Sequence, residues 1–258
     1  MINLLPPNEV HLWFVLTNEL NLNDAAHISS AYQELMTPEE LAKAERFHFE
    51  KDRHQHIITR ALVRTTLSRY ANINPADWRF SKNKYGRPEI SSPQSHSLRF
   101  NLSHTDGLIA CAVVIKQDIG VDVENIGRQA GGIDIANRFF STQEAQDLDT
   151  VPESQKRERF FEYWTLKESY IKARGMGLSL PLNQFSFHLS DNKPIRISFN
   201  PQLEDNPNQW QFWKLQPTLQ HKLAISLCNK EKKYRLIIKK VIPLQNLNLS
   251  YFENQEFF

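Results

Sequence analysis

Cysteine is scarce in this sequence, which limits the kinds of site that the chain can build. Only two cysteines occur among its 258 residues, Cys111 and Cys228, and each lies inside an apolar run. Neither belongs to a C-x-x-C pair, which argues against a metal-binding or redox motif. We therefore interpret both as buried, reduced thiols of a cytosolic protein.

Long hydrophobic runs and excess charge are also missing. No apolar run reaches the ~18 residues of a membrane-spanning helix, and residues 1–10 lack the basic and apolar stretches of a signal peptide. The 31 Lys and Arg against 29 Asp and Glu leave a net charge of +2, which does not point to general nucleic-acid binding. With 40% hydrophobic and 23% charged residues, the composition is that of a globular protein. We expect a cytoplasmic protein without a membrane or nucleic-acid partner.

The hydrophobic pattern predicts an α+β protein of two similar-sized halves. Helices are predicted over 38–70, where Thr37, Pro38 and Glu40 form a helix start, and over 154–174, with shorter helical stretches near 133–140 and 143–147. Strands are predicted at 11–17, 97–102, 108–116, 119–124, 185–189, 211–215, 223–228 and 234–242. A loop at 129–132 is the candidate boundary, so the expected domains are 1–128 and 129–258.

Two carboxylates share one face of a predicted strand in the segment IGVDVEN. Because side chains alternate along a strand, Asp122 and Glu124 point together while Val121 and Val123 point to the core. Neighbouring carboxylates repel each other unless a positive charge lies between them. Mg²⁺ binds one or two carboxylates together with waters and phosphate oxygens. The segment indicates either a metal site or an ordinary solvated strand face.

A third acid, Glu168, lies in the long helix predicted at 154–174. On a helical wheel of ~100° per residue, Glu168 falls within the apolar stripe that includes Phe160 and Ile171. A carboxylate there is unfavourable unless it is paired or binds a metal. Lys172, four residues on, is its natural partner, so a buried structural Glu–Lys pair is the alternative. Lys167 is near the stripe and could be peripheral.

Basic residues crowd the helical region at 38–70, with acids interleaved. This pattern is typical of a solvated amphipathic helix, or of a phosphate-binding face, since arginine forks suit phosphate oxygens. A metal site from His54 and His56 is disfavoured because residues two apart diverge on a helix. The region comprises Lys43, Arg46, His48, Lys51, Arg53, His54, His56, Arg60, Arg64 and Arg69.

The segment FNLSHT places Ser103 beside His104 at a predicted strand end. A Ser–His pair can belong to a hydrolase, but no G-x-S-x-G motif is present. Both side chains can instead bind a phosphate or diphosphate, and a purely structural His104 is the remaining alternative.

Taken together and in this order, these segments resemble the Sfp-type 4′-phosphopantetheinyl transferases. The resemblance covers roughly residues 46–182, and the pair GVDVE and WTLKES at this spacing is highly specific to that family. The stretches that carry it are KYGRPEI (84–90), FNLSHT (100–105), GVDVE (120–124), RFFSTQE (138–144) and WTLKESYIKARGMGLSLPL (164–182).

The resemblance implies two like α/β halves related by a pseudo-twofold axis, with coenzyme A in the cleft between them. It implies Asp122, Glu124 and Glu168 as magnesium ligands. It implies that phosphates of coenzyme A are contacted by Ser103, His104 and Lys172, that the adenosine end is lined by Gly86, Arg87 and Pro88, and that Arg46 and Arg53 lie near the 3′-phosphate. Arg87 departs from the lysine often found at its position; it keeps the charge but not the point-like geometry.

The activity implied is transfer of phosphopantetheine from coenzyme A to a serine of an acyl or peptidyl carrier protein, releasing 3′,5′-ADP. Glu168, Lys172 and His104 are the catalytic candidates, with Glu168 or a metal-bound water as base. We expect a monomer, because the two halves would already supply both walls of the cleft. The rival hypotheses are a metal-dependent phosphodiesterase and a non-catalytic carrier-protein or nucleotide-binding module.

Overall fold

A computed structural model of the protein describes residues 4–20, 25–92, 97–127, 136–190, 193–229 and 232–245. Helices and largely antiparallel sheets share these residues, which confirms the predicted α+β class. No helix in the described ranges has the length and apolar character that crossing a membrane requires. The predicted loop at 129–132 and most of the unassigned C-terminal segment, 245–258, fall outside them.

The chain forms two compact units, which differ from the domains predicted at 1–128 and 129–258. The first comprises the described residues of 1–82, 88–116 and 235–255, and the second those of 83–87 and 117–234. The division falls before GVDVE because that strand pairs with β10 (His221–Cys228), far along the chain. The C-terminal strand β11 (Arg235–Lys240) pairs in parallel with β1 (Glu9–Leu16) and so belongs to the first unit.

In the first unit, a four-stranded sheet has the order β11-β1-β5-β4. The antiparallel strands β4 (Leu98–Thr105) and β5 (Leu108–Ile115) form a hairpin, and β5 is also antiparallel to β1. Nearly all of β5 is buried, so it reads as a continuous apolar run, as a central strand does. Against this sheet packs a core that includes Trp13, Leu62, Trp78 and Phe100.

Within the described ranges, three α-helices precede this hairpin: α1 (Ala25–Gln33), α2 (Pro38–Glu45) and α3 (Glu50–Leu67). The predicted start of α2 is confirmed, because Thr37 and Glu40 form a reciprocal capping box with Pro at the first helical position. Helix α1 and the short strands β2 (Phe80–Lys82) and β3 (Pro88–Ile90) were not predicted. The two strands have only three residues each, too few for periodicity to show.

In the second unit, the antiparallel sheet β6-β10-β9 carries one long helix. The sheet contains β6 (Ile119–Asn125), β10 and β9 (Trp210–Thr218), and the helix is α6 (Glu153–Arg174). The short elements α4 (Ala136–Phe139), α5 (Thr142–Thr150), β7 (Phe185–His188) and β8 (Arg196–Phe199) complete the unit. Strand β8 was not predicted.

Helix α6 is buried along two sides, so its burial extends beyond the single apolar stripe predicted for it, although Phe160 and Ile171 of that stripe are buried. One side lies on the sheet through polar contacts, such as the 2.8 Å hydrogen bond between Ser169 Oγ and Ser226 Oγ. The other side meets an aromatic core that includes Phe160 and Tyr170. The less buried row is Trp164, Glu168 and Lys172, spaced four residues apart. Polar residues can face the interior here because the sheet offers polar partners.

Candidate functional site

Strand β6 runs directly against the last turns of α6, and Gly120 makes this approach possible. A Cβ atom on Gly120 would lie 1.9 Å from the carbonyl oxygen of Ser169 and 2.5 Å from the amide nitrogen of Ala173. No other residue type fits without moving one of the two backbones. The glycine of GVDVE is therefore what brings the acids of β6 to the helix that carries Glu168.

The predicted orientation of β6 is observed. Val121 and Val123 are fully buried, and Asp122, on the opposite face, is bound by the helix. The Lys172 Nζ lies 2.7 Å from Asp122 Oδ1 and donates a second hydrogen bond, of 3.2 Å, to the Val121 carbonyl. Lys172 therefore binds the strand acid, whereas the sequence suggested Glu168 as its partner.

Glu168 lies close enough to this ion pair for its ionisation to depend on it. Burial raises the pKa of the Glu168 carboxyl, the negative charge of Asp122 raises it further, and the positive charge of Lys172 lowers it. A carboxylate with a raised pKa beside a second carboxylate gains most from an added cation. The structure thus brings Asp122, Glu168 and Lys172 together.

Glu124 lies on the same face of β6 as Asp122 and directly across from Lys222 of β10. The ammonium group of Lys222 is itself tied to α6, because it binds Glu158, with Gln216 Oε1 3.0 Å away. Lys222 is nearly inaccessible, with a relative exposure of 4%. A positive charge is thus buried next to the predicted metal ligands, a feature that no local pattern in the sequence indicates.

These acids fit a magnesium ion that is shared with a phosphate-bearing substrate. Among the described residues, no three His, Cys, Asp or Glu side chains form a ready-made metal cluster. Mg²⁺ does not require one, since it keeps several waters and usually takes one or two carboxylates plus substrate phosphates. Asp122 and the partly buried Glu168 supply such a pair, with Glu124 on the same strand face.

Lys167, which the sequence left as peripheral, is completely buried. Its Nζ lies 2.7 Å from Glu144 Oε2 and donates to the carbonyls of Leu182 and Phe185 at 2.7 and 2.8 Å. These three partners match the three donors of an ammonium group. Lys167 therefore fixes the segment after α6 to the helix that carries Glu168.

Glu144 connects this lysine to the RFFSTQE segment. Its Oε2 accepts from the amide of Ser141 at 2.9 Å in a capping box, and its Oε1 accepts from the amide of Phe187 at 2.8 Å. Both Glu144 and Lys167 have no exposed side-chain surface. The S-x-x-E pattern of a capping box was the available sequence signal, but nothing in the sequence showed that its glutamate also binds Lys167.

The predicted adenosine-end segment is divided between the two units. Gly86 and Arg87 belong to the second unit, and Pro88, at the start of β3, to the first. Gly86 has φ +90° with open space around it. Arg87 Nη1 donates to the carbonyl of Ala173 at 2.8 Å and lies 3.3 Å from Asp118 Oδ1.

Ser103 and His104 lie in β4 of the first unit, within the strand and not after it. Successive side chains alternate across a strand, so Ser103 is buried and His104 is exposed. The N-terminal part of α3 lies beside the end of this strand. Gln55 Nε2 donates to the Thr105 carbonyl at 2.7 Å, and Lys51 Nζ lies 2.6 Å from Asp106 Oδ2.

Arg46 and Arg53 are exposed in the same unit, at the end of α2 and in the first turns of α3. Another set of basic residues, Lys43, His56 and Arg60, lies close enough for their charges to interact. Burial lowers the pKa of His56, and the charges of Arg60 and Lys43 lower it further. Lys82 also acts on Lys43. The only sequence signal for this cluster is the spacing of His56 and Arg60, which lie four residues apart on α3.

The fold and the site define an α+β protein with an acidic, lysine-containing site suited to a divalent cation and a phosphate group. Comparison with known families gives two adjoining matches. Residues 118–228 match the 4′-phosphopantetheinyl transferase superfamily, and residues 25–116 match the N-terminal domain of a 4′-phosphopantetheinyl transferase.

Individual relatives agree. A 4′-phosphopantetheinyl transferase of Bacillus subtilis is 39% identical over 63% of this chain and 70% of its own. The transferase HetI of a Nostoc strain is 34% identical over 76% of this chain and 83% of its own. A solved holo-[acyl-carrier-protein] synthase of Thermotoga maritima overlaps 45% of this chain and 64% of its own at 21% identity and a TM-score of 0.36, which is too little to assign a function. The chain belongs to the 4′-phosphopantetheinyl transferase family, as its sequence motifs predicted.

Proposed function

We propose that this protein transfers the 4′-phosphopantetheine group of coenzyme A to a serine hydroxyl of an acyl or peptidyl carrier protein, with magnesium as cofactor and 3′,5′-ADP as leaving group. One observation carries the mechanism: Lys172 of α6 and Asp122 of β6 are bound to each other within the electrostatic reach of Glu168. This combination of two acids and an ammonium group suits phosphoryl transfer, in which catalysis depends on positioning and charge.

Asp122 and Glu168, with Glu124 on the same strand face, would hold the magnesium ion. When bound, the ion would supply positive charge to diphosphate oxygens on which negative charge develops. Lys172 would donate hydrogen bonds to the same oxygens from its place beside Asp122. His104, exposed on β4, is the further donor that the family resemblance implies.

The serine hydroxyl of the carrier must lose a proton as it attacks phosphorus. Glu168 is suited to accept this proton because burial raises the pKa of its carboxyl. The positive charge of Lys172 opposes that rise of the pKa. Glu168 thus combines the roles of ligand and base, while the anchored Lys167 next to it restrains the helix.

Ser103, with His104, would contact the phosphates of coenzyme A. Gly86, Arg87 and Pro88 would line its adenosine end. Arg46 and Arg53 would lie near its 3′-phosphate, and Lys43 and Arg60, whose charges act on His56, add positive charge in the same unit. The Nε2 atom of the buried His56 has no hydrogen-bond partner within the described residues, and a phosphate oxygen would be a suitable partner for it. Exposed basic residues of this region would steer an acidic carrier protein.

The decisive experiment mixes the full-length protein with coenzyme A, Mg²⁺ and apo forms of an acyl and a peptidyl carrier protein. Intact-mass spectrometry should show a gain on the order of 340 Da, the mass of the phosphopantetheine arm, and no gain after chelation of the metal. Hydrolysis of coenzyme A without a mass gain would favour a phosphodiesterase. Binding without either reaction would favour a non-catalytic module.

A further inference from the structure

The loop at 83–87 is held together by hydrogen bonds to Asn83. The Oδ1 of Asn83 accepts from the amides of Tyr85 and Arg87, both at 2.9 Å. The Asn83 amide donates to the Arg87 carbonyl at 3.0 Å, and the Gly86 amide donates to the Asn83 carbonyl at 2.9 Å. An asparagine that binds its own loop in this way fixes the turn, so the side chains of Asn83 and Arg87 have defined directions.

Both side chains point to the C-terminal end of α6. Asn83 Nδ2 donates to the carbonyl of Gly175 at 2.8 Å, and Arg87 Nη1 donates to the carbonyl of Ala173 at 2.8 Å. The last carbonyls of a helix have no partner within the helix, and a cation there is favourable because it opposes the negative end of the helix dipole. The loop, which is distant from α6 in the sequence, therefore supplies hydrogen-bond donors to carbonyl groups at the end of the helix.

Gly175 has the backbone conformation and the absence of a side chain that this contact requires. It ends the helix in the left-handed conformation, with φ +62°. A Cβ atom there would lie 2.7 to 2.8 Å from the guanidinium group of Arg87. Its amide donates to the carbonyls of Ile171 and Lys172 at 3.0 and 3.2 Å. The last turn of α6, which carries Lys172, is thus closed by Gly175 and held by Arg87 and Asn83.

We propose that Asn83 and Arg87 are positioning residues, which hold the last turn of α6 so that Lys172 stays at Asp122. The inference rests on the proposed function only for what Lys172 does in the reaction. It assigns Arg87 a task in the protein without ligand, in addition to the contact with coenzyme A that the family resemblance implies. Arg87 acts on Lys172 through the helix backbone. It binds the carbonyl of Ala173, the residue after Lys172, and Lys172 binds Asp122.

Amide hydrogen exchange of the full-length protein without coenzyme A or metal tests the proposal. The variants Arg87→Met and Asn83→Ala should each speed exchange of the amides at 173–177 by about tenfold or more, because local opening becomes easier when the end of the helix loses a partner. Lys84→Met is the matched control. It removes an exposed positive charge from the same loop and should leave this exchange unchanged. Exchange in Arg87→Met equal to that of the wild type would overturn the proposal.

A kinetic measurement separates positioning from contact with the 3′-phosphate. With coenzyme A and with 3′-dephospho-coenzyme A as donors, Arg87→Met should lower turnover by the same factor, and Arg87→Lys should recover part of the loss. A loss confined to coenzyme A would make Arg87 a contact of the 3′-phosphate and overturn the positioning role. The exchange result does not depend on turnover, so a protein that failed to modify any carrier would refute the proposed function and leave this test intact.

Discussion

The Lys172 ammonium lies 2.7 Å from the Asp122 carboxylate and joins the last turn of α6 to the centre of β6. Gly120, two residues before Asp122, allows the helix and the strand to approach this closely. The positive charge of Lys172 also lowers the pKa of Glu168, which burial and Asp122 raise. One ion pair therefore sets both the geometry and the charge balance of the site.

Replacing the acids of the site should abolish most of the activity. We expect Asp122→Ala and Glu168→Gln each to lower turnover by at least ~10²-fold, as removal of a metal-binding group does. The rate of mass gain of an apo carrier protein measures the effect. Rates near the wild-type value in both variants would contradict the metal assignment. Glu89→Gln, which alters an acid outside β6 and α6, is a suitable control.

Lys172→Ala should weaken the use of coenzyme A and leave the fold intact. The Lys172 side chain is 29% exposed and that of Asp122 is 7% exposed, so losing the pair should cost some stability without unfolding the protein. The KM for coenzyme A should rise while the circular dichroism spectrum stays that of the folded wild type. If the variant does not fold, Lys172 has the purely structural role that the sequence left open.

Gly120→Ala should destabilise the second unit strongly. Its methyl group would overlap the Ser169 carbonyl oxygen, at 1.9 Å, and backbone cannot move aside as a side chain can. We expect a loss of about 3 kcal/mol or more in the free energy of unfolding, measured with urea. Gly86→Ala is the comparison, because Gly86 has φ +90° but open space. Its cost should be about 1–2 kcal/mol, from backbone strain alone. Equal losses in the two variants would contradict the close packing of β6 on α6.

The buried pair of Glu144 and Lys167 should be strongly coupled. We expect Lys167→Met or Glu144→Gln to lower the free energy of unfolding by about 3–5 kcal/mol, because each leaves the other group buried without its partner. The double variant should lose less than the sum of the two single losses. The half-exposed pair of Lys240 and Glu19 is the control, with an expected coupling below about 1 kcal/mol. Additive losses at Glu144 and Lys167 would show that the two residues act independently.

The stability of the protein should depend on the ionisation of Lys167 at alkaline pH. Burial lowers the pKa of this lysine to about 8, although the charge of Glu144 opposes the change. Between about pH 8 and the unfolded pKa of 10.5, the unfolded chain keeps a proton that the folded protein loses. The free energy of unfolding should therefore rise with pH in this window, relative to Lys167→Met. Urea unfolding at pH 7.5 and 9.5 checks the sign, and a constant difference between the two proteins would contradict it.

Several elements could be predicted because a local pattern fixes them. The helix start at Thr37 and the strand that presents Asp122 follow from capping chemistry and from alternation along the chain. The family followed from the motifs alone and was confirmed by the comparisons. The short strands β2 and β3 could not be found in this way, since they have only three residues each.

The sequence by itself determined the family and the α+β class, because these depend on residue types at fixed spacings, and it predicted which acids form the site. Tertiary structure alone decided which charged groups meet. Lys172 binds Asp122 across 50 residues, Lys167 is buried against Glu144, and Arg87 holds the end of α6. Such contacts depend on how strands and helices separated in the chain pack together, and no local pattern of hydrophobicity or charge encodes that packing.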